Sequence, residues 1–472
     1  MSMTEDITGF MVVAPSIVAV GETFAIRIKA LTEPYIVGPD HPEHSEANRS
    51  LRGAEYMDNV PASWPGAVRI ESDGHGLRGP QTFSFPGGTR PIARIEGFSF
   101  AAPGVKVLIV RDEASAIEAR SNPIQVQAGR PELRLFWGDI HCHTIESDGL
   151  RTPDQVCRFA REEGMLDIFA IADHGALPNA AIEQAIESHH SDGRFVTLHA
   201  DELDAAGHVN VYYPDRPGRH VTKREHRAGE LVGAARDAGA MLVRHHTAAI
   251  YWEVDWDVGY APDIMRLIEI YSAWGSSECS EADGNPRPIR ALGGECEGQH
   301  VRDALNRGFR LGFIASSDSH DGRPGDDMMR LQTSPKLLAV DYDKLERQGI
   351  MGVWAEALTR EAIWDAMRKR CVYATTNVRV ILKFSINGRP MGSELASAGT
   401  NRLEIEAHSE DAIARVDVIK DGAVLRSFAP EQSMFAAELD DAVQGGTSWY
   451  YVRLTRTDGE MAWSSPIWVT GR

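Results

Sequence analysis

Three short clusters of metal-type ligands punctuate the chain: His141-Cys142-His143 with Asp148 close behind, Asp173-His174, and Asp318-Ser319-His320. Each follows a strand-like run, at 133–139, 168–172 and 313–316. Side chains alternate along an extended chain, so His141 and His143 share one side and Cys142 faces the other. Asp318 and His320 repeat that spacing. Convergent imidazoles and carboxylates at strand ends suit divalent Zn, Mn or Fe. Such ions lower the pKa of bound water toward neutrality and polarise the bond under attack, so no serine, cysteine or lysine nucleophile is required. Cys142 reads as a buried structural thiol.

The elements that must position these residues follow from periodicity. Thr152-Pro153-Asp154 opens a helix to Gly164, with Thr152 as N-cap and Pro153 in the first helical position. Strands are expected at 166–172, 195–202, 208–213, 240–245, 265–271 and 311–316, and further helices at 179–190, 226–238 and 298–308. Strands alternating with helices indicate a parallel α/β fold. Polar residues gathered at strand C-termini favour a barrel with its site at that face. Before Gly129-Arg130-Pro131, strand-like runs at 16–20, 23–30 and 105–110 flank a Gly-, Pro-, His- and Asp-dense region at 33–90. That region is either a long loop covering a site or a set of short edge strands. Beyond 376, alternating runs with Asp421-Gly422 and Asp458-Gly459 turns predict a small antiparallel sandwich. The expected domains are 1–130, 131–375 and 376–472.

A chain of 472 residues fits two or three domains. Its net charge of -19 argues against a nucleic-acid binder. No apolar stretch approaches a membrane span, and the first residues lack a basic start followed by an apolar core. Five scattered cysteines form no disulfide framework, so a reducing, cytoplasmic location is expected.

Together the clusters resemble the PHP (polymerase and histidinol phosphatase) metal-dependent hydrolases over about 131–325. More narrowly, Trp137-Gly-Asp-Ile-His-Cys-His-Thr, Gly207-His-Val-Asn-Val-Tyr, Glu269-Ile-Tyr-Ser-Ala-Trp-Gly-Ser-Ser-Glu278 and Ser316-Ser-Asp-Ser-His are similar to the DUF3604 type. The resemblance implies a distorted, TIM-like (β/α)7 barrel holding two or three divalent metals, flanked by an N-terminal β-rich domain and a C-terminal β-sandwich. By motif, His141, His143 and Asp318 would hold a first metal, with Glu202 as bridging carboxylate. His208 and a histidine of the His245-His246 pair, His246 preferred, would complete a second. Asp148, His174 and His320 would form a third, although many relatives carry histidine at the position of Asp148. The implied activity is metal-dependent hydrolysis, a phosphoester being the first choice, on a small or oligomeric anionic substrate. Alternatives are amide or ester hydrolysis, uronate-polysaccharide lyase chemistry, and a non-catalytic scaffold. Arg244 is a candidate anion ligand, and Glu269 or Glu278 a candidate general acid.

Overall fold

The ligand clusters and Glu269 belong to seven strands of one continuous sheet: Arg134–Asp139, Ile168–Ile171, Val196–Asp204, His208–Tyr213, Met241–Arg244, Leu267–Ser272 and Gly312–Ala315. These come from a computed structural model that describes residues 6–37, 56–175, 179–204, 207–227, 229–252, 254, 256, 260–326 and 342–471. The first three strands pair in parallel, in chain order. The pairs Met241–Arg244 with Leu267–Ser272, and Leu267–Ser272 with Gly312–Ala315, are parallel too. Beyond the strand ends the last returns to the first: His143 N–H donates to the Ser319 carbonyl at 2.8 Å, and Asp318 N–H to the His141 carbonyl at 2.9 Å. Ile168–Ile171 is buried at every position, as a strand covered on both faces must be.

The expected regular alternation of strand and helix does not hold throughout. His208–Tyr213 runs antiparallel to both neighbours. Only residues 205–207 separate it from Val196–Asp204, too few for the crossover that a parallel return needs. Six α-helices occur among the described residues, none longer than 10 residues. The architecture is therefore mixed α/β and strand-rich. The helix expected over 226–238 is two pieces, Lys223–Arg227 and Leu231–Asp237, parted at Gly229, whose φ of 73° leaves helical geometry. The helix at Pro153–Glu162 forms as its sequence predicts. Thr152 Oγ1 accepts from Gln155 N–H at 3.3 Å, and Gln155 Oε1 accepts from Thr152 N–H at 2.9 Å, closing a capping box.

Strand Ile350–Ala355, helix Arg360–Arg368 and strand Val372–Thr375 were not anticipated. Ile350–Ala355 lies antiparallel to Arg134–Asp139, and Val372–Thr375 pairs onward with Met461–Ser464, so the ladder continues into the C-terminal strands. Gly138 sits where this packing is tightest. A Cβ there would lie 2.9 Å from Ile168 Cβ and 3.1 Å from Met351 Cε.

The N-terminal strands form separate small sheets around their own core, which includes Ile26, Ile28, Phe98 and Phe100. Within 33–90 lie short strands such as Tyr35–Val37, Tyr56–Asp58 and Ala67–Ser72; residues 38–55 are outside the described residues. Ion pairs fasten these sheets to the ligand-bearing part: Arg27 to Asp167 at 3.0 Å, Arg90 to Glu163 at 2.8 Å and Lys29 to Asp326 at 3.1 Å. In the C-terminal part the 21-residue strand Thr400–Lys420 pairs with Ile381–Ile386, Gln432–Ala442 and Thr447–Arg456. Asp421 (φ 49°) and Gly422 (φ 86°) make the two-residue hairpin expected of that dipeptide.

Candidate metal centre

All nine proposed ligands come together, at the ends of strands whose tips are stitched by backbone hydrogen bonds. They form three groups: His141, His143 and Asp318; Glu202, His208, His245 and His246; and His143, Asp148, His174 and His320. Glu202 joins the groups. A parallel bridge to His174 fixes its backbone, and strand alternation sends Asp201 the other way, where it accepts from Tyr213 Oη at 2.8 Å. The inverted strand explains His208. It is the first residue of an antiparallel partner, opposite Asp204, and so starts at the end where the parallel strands finish.

The Glu202 carboxylate faces two ways. Oε2 lies 3.3 Å from His141 Nε2 and 3.2 Å from His143 Nε2, while Oε1 lies 2.6 Å from His208 Nδ1 and 2.8 Å from His245 Nε2. Asp318 Oδ1 completes the first side, 3.4 Å from His141 Nε2 and 3.1 Å from His143 Nε2. Donors bound about 2.0–2.2 Å from a tetrahedral ion stand roughly 3.3–3.6 Å apart. The four separations between these donors fall at or just under that range. Asp148 lies 3.4 Å from His320 Nε2, 3.8 Å from His174 Nε2 and 3.4 Å from His143 Nδ1. A neutral imidazole offers one lone pair, and the shorter contacts of His143 are on its Nε2 side, with the first group.

Surrounding groups aim these donors. Glu269 holds His141 Nδ1 between its two oxygens at 3.3 and 3.2 Å, which turns Nε2 toward Glu202 and Asp318. His320 Nδ1 donates to the Asp318 carbonyl at 3.0 Å, leaving Nε2 for Asp148. Trp274 Nε1–H donates to Asp318 Oδ2 at 2.5 Å and frees Oδ1 for the histidines. Asp173 accepts from Thr144 N–H at 2.7 Å and from the Thr144 and Ser147 hydroxyls at 2.5 Å, fixing the loop after His143. Asp173, read with His174 as a metal-type ligand, lies outside the three groups and holds this loop instead; that role and Trp274's had no sequence signal, because their partners lie 29 and 44 residues away.

The donor set fits divalent ions electrostatically as well. Burial pushes the Glu202 carboxyl up, but the imidazoles of His174, His245 and His208 outweigh it and hold the group well below the usual carboxylate range. Burial pushes His174 and His245 down to about 4, and burial with neighbouring His245 and His208 keeps His246 well below the usual imidazole value. Metal ligation needs neutral imidazole. Burial also opposes the charged forms of His141 and His143, yet their carboxylate neighbours raise both well above the ordinary value, positions where an ion would displace a proton. The Nδ1 atoms of His174, His245 and His246 are buried without a hydrogen-bond partner. His246 (φ 32°) and Asp318 (φ 52°) hold left-handed backbone, which non-glycine residues adopt rarely and mostly at functional sites.

The catalytic candidates fare differently. Glu278 is fully buried in an ion-pair network, accepting from Arg302 at 2.8 Å, Tyr451 at 2.5 Å, Arg453 at 3.2 Å and Trp463 at 2.8 Å. Despite its burial, these partners hold it below the usual carboxylate value, the opposite of what a general acid needs, so that assignment is corrected. It ties its loop to the C-terminal strands. Glu269 faces His141 Nδ1 with both oxygens and so backs that ligand. Arg244 is half-buried at the end of its strand, opposite Val209 and immediately before His245 and His246. Cys142 packs into the core with Val156 and Cys157, and burial raises its thiol well above the ordinary value.

The sequence profile of a family described as "Protein of unknown function (DUF3604)" matches residues 293–404, a stretch that includes Asp318 and His320. An uncharacterized protein of Chlamydia pneumoniae is 26% identical over 476 residues, covering 94% of this chain and 74% of its own length. An uncharacterized protein of Chlamydia trachomatis is 29% identical over 404 residues, covering 78% of this chain; the chain spans 63% of that relative. Among solved structures, a two-domain protein from Bacteroides vulgatus containing a predicted PHP-like metal-dependent phosphoesterase covers 71% of this chain and 96% of its own. Its sequence identity is 13% and its TM-score 0.37, too low to establish a shared fold.

Proposed function

We propose that this chain is a metal-dependent hydrolase with a di- or trinuclear centre, and that a phosphoester is its substrate. The observation that carries this reading is the Glu202 carboxylate, with one oxygen among His141 and His143 and the other on His208 and His245. His141, His143, Glu202 and Asp318 would hold one ion; Glu202, His208 and the His245-His246 pair a second; Asp148, His174 and His320 a third. Bound Zn, Mn or Fe would supply an acidified water and Lewis-acid polarisation of the scissile bond. The protein's own share is orientation. Glu269, Trp274 and the Asp318 carbonyl each occupy the far side of a ligand, so the donor atoms need not reorganise when the centre fills. Concentrated positive charge suits an anionic substrate whose transition state spreads charge over oxygen atoms.

In the same reading the seven ligand-bearing strands form a distorted (β/α)7 barrel of the PHP type, within domains 1–130, 131–375 and 376–472. The five free cysteines suit a reducing, cytoplasmic compartment. The test is metal analysis of the purified chain, then turnover of phosphomonoesters and diesters after reconstitution with Mn or Zn. Two or more ions per chain with turnover is the expected result. Bound metal with no turnover across both classes would overturn the phosphoester assignment.

One observation favours a second reading, cleavage at a uronate-containing glycan or at an ester or amide. The Trp252 ring lies 5.4 Å from His208 and 5.5 Å from His246, and neighbouring Tyr251 is 59% exposed. An aromatic wall beside the ligands suits a substrate with a ring face. Absorbance of an unsaturated uronate product separates lyase chemistry from hydrolysis.

A further inference from the structure

A polar cavity of about 300 Å³ lies away from the ligand groups, where an N-terminal sheet, Gly325–Asp326 and residues 377–379 meet. Arg379 in its wall donates to the carbonyls of Gly164 and Met165, just before the strand Ile168–Ile171, whereas His174 follows that strand's other end. Its charged lining comprises Lys29, Arg120, Arg347 and Arg379 against Asp326 and Glu410. Both acids are already engaged, Asp326 by Lys29 at 3.1 Å and Arg323 at 3.0 Å, Glu410 by Arg456 at 3.2 Å. Arg120 reaches Asp73 at 3.4 Å near the surface.

Arg379 stands apart. It is only 9% exposed, and Nη2 donates to the Gly164 carbonyl at 3.0 Å and to that of Met165 at 3.3 Å. Its Nε is buried without a hydrogen-bond partner, and its nearby carboxylates, Asp167 and Glu410, are both engaged by other arginines, Arg27 at 3.0 Å and Arg456 at 3.2 Å. A guanidinium so deeply buried without a carboxylate of its own is costly, and proteins keep such charges where something pairs with them. Burial, with nearby Arg27 and Arg347, outweighs Asp167 and Glu410 and lowers its pKa to about 10. A second lining residue, Asn377, holds left-handed backbone (φ 59°), and its Nδ2 donates to the Gly325 carbonyl at 3.1 Å, which fixes that wall.

We propose that this cavity is a binding site for a small oxyanion, a carboxylate or phosphate, whose charge pairs with Arg379 while Arg120 and Arg347 line the approach. The volume is at the small end for ligand pockets, which suits a free phosphate or a short organic acid rather than a polymer. With Nη2 given to the Gly164 and Met165 carbonyls, it is the permanent charge of the guanidinium, rather than a bidentate fork, that would hold the anion. The chain as a whole is acidic, so this basic cavity departs from its average surface.

Calorimetric titration of the full chain with inorganic phosphate, sulfate and succinate tests the proposal. At least one probe is expected to saturate at one site per chain. Arg379→Met should weaken that binding about 10-fold or more. Arg379→Lys, which keeps the charge but loses the contacts to the Gly164 and Met165 carbonyls, should recover part of it, with metal content unchanged in both variants. Arg120→Gln, a change at the exposed rim that leaves the core untouched, should weaken binding severalfold and keeps the test valid if the Arg379 variants fold poorly. Saturation by phosphate alone or by succinate alone identifies which anion the site takes. No saturable binding of any probe to the wild-type chain, or affinity unchanged in Arg379→Met and Arg120→Gln, would overturn the proposal; the second result would place the anion at the metal centre.

Discussion

Replacing Glu269 separates two roles for a buried carboxylate beside a metal centre. Both its oxygens lie 3.2–3.3 Å from His141 Nδ1, and the group is 1% exposed. Burial raises its pKa, and His141 opposes that rise. If Glu269 acts through His141, its loss changes how well the first ion is held. Carboxylates that orient a ligating histidine typically contribute 10- to 100-fold in metal affinity, or about 1.4–2.7 kcal/mol. Glu269→Gln leaves a neutral acceptor in place, and a neutral hydrogen bond has about half the strength of a charge-assisted one. The expected loss is therefore near the lower bound, about 10-fold. Glu269→Ala leaves the buried His141 Nδ1–H with no partner and should approach 100-fold. The assay is competition with a chromophoric chelator, together with the pH dependence of kcat/KM at saturating metal. A positioning role predicts weaker metal binding with activity largely restored by excess metal. Unchanged metal affinity with a kcat that excess metal does not restore, and loss of the basic limb of the pH profile, would refute it and reinstate Glu269 as the general acid.

Three further outcomes follow from the same structure. Cys142→Ala should leave metal stoichiometry and turnover unchanged while costing about 1–2 kcal/mol in urea unfolding, because the thiol packs in the core rather than among the ligands. Gly138→Ala should destabilise by about 1–3 kcal/mol in thermal melts, since the new methyl would meet Ile168 and Met351. Despite burial, Asp58 is held well below the usual carboxylate value by Arg323 and Arg90, and Asp326 by Lys29 and Arg323. Their folded pKa values lie below the unfolded ones, so the stability they contribute is complete above about pH 5 and is lost as pH falls from there. Arg323→Met should cost about 3 kcal/mol or more at neutral pH and flatten this acid-side slope in denaturant titrations at stepped pH.

What was legible in the sequence is what local geometry controls. His141 and His143 share a side because alternation acts over two residues, and the same rule separates Glu202 from Asp201, which turns to Tyr213 and His220. Thr152 and Gln155 close their helix cap within four residues. The misreadings all concern distance along the chain. Glu278 reads as a site residue because Glu269 and Trp274 are close by in sequence, yet its partners Tyr451 and Arg453 come from 173 and 175 residues away. The choice between His245 and His246 was beyond alternation, since the strand ends at Arg244 and His246 then takes a positive φ. Both imidazoles reach the Glu202 group. The even run of strands and helices failed where 205–207 proved too short to cross over.

That failure is also what builds the centre. In a uniformly parallel arrangement the strand after Glu202 would finish, not begin, at the ligand end, and His208 would open it at the far end of the sheet. The tight antiparallel return instead places His208 opposite Asp204, two residues from Glu202, and brings its Nδ1 to 2.6 Å from Oε1. The next strand, antiparallel again, runs back so that His245 and His246 leave it at the same end. Two successive reversals thus deliver three imidazoles to one side of a carboxylate, while the parallel strands deliver His141, His143 and Asp318 to the other. The first reversal, which a three-residue connection imposes, is therefore both the departure from regular α/β order and the reason His208 meets Glu202; the second, over residues 214–240, adds His245 and His246.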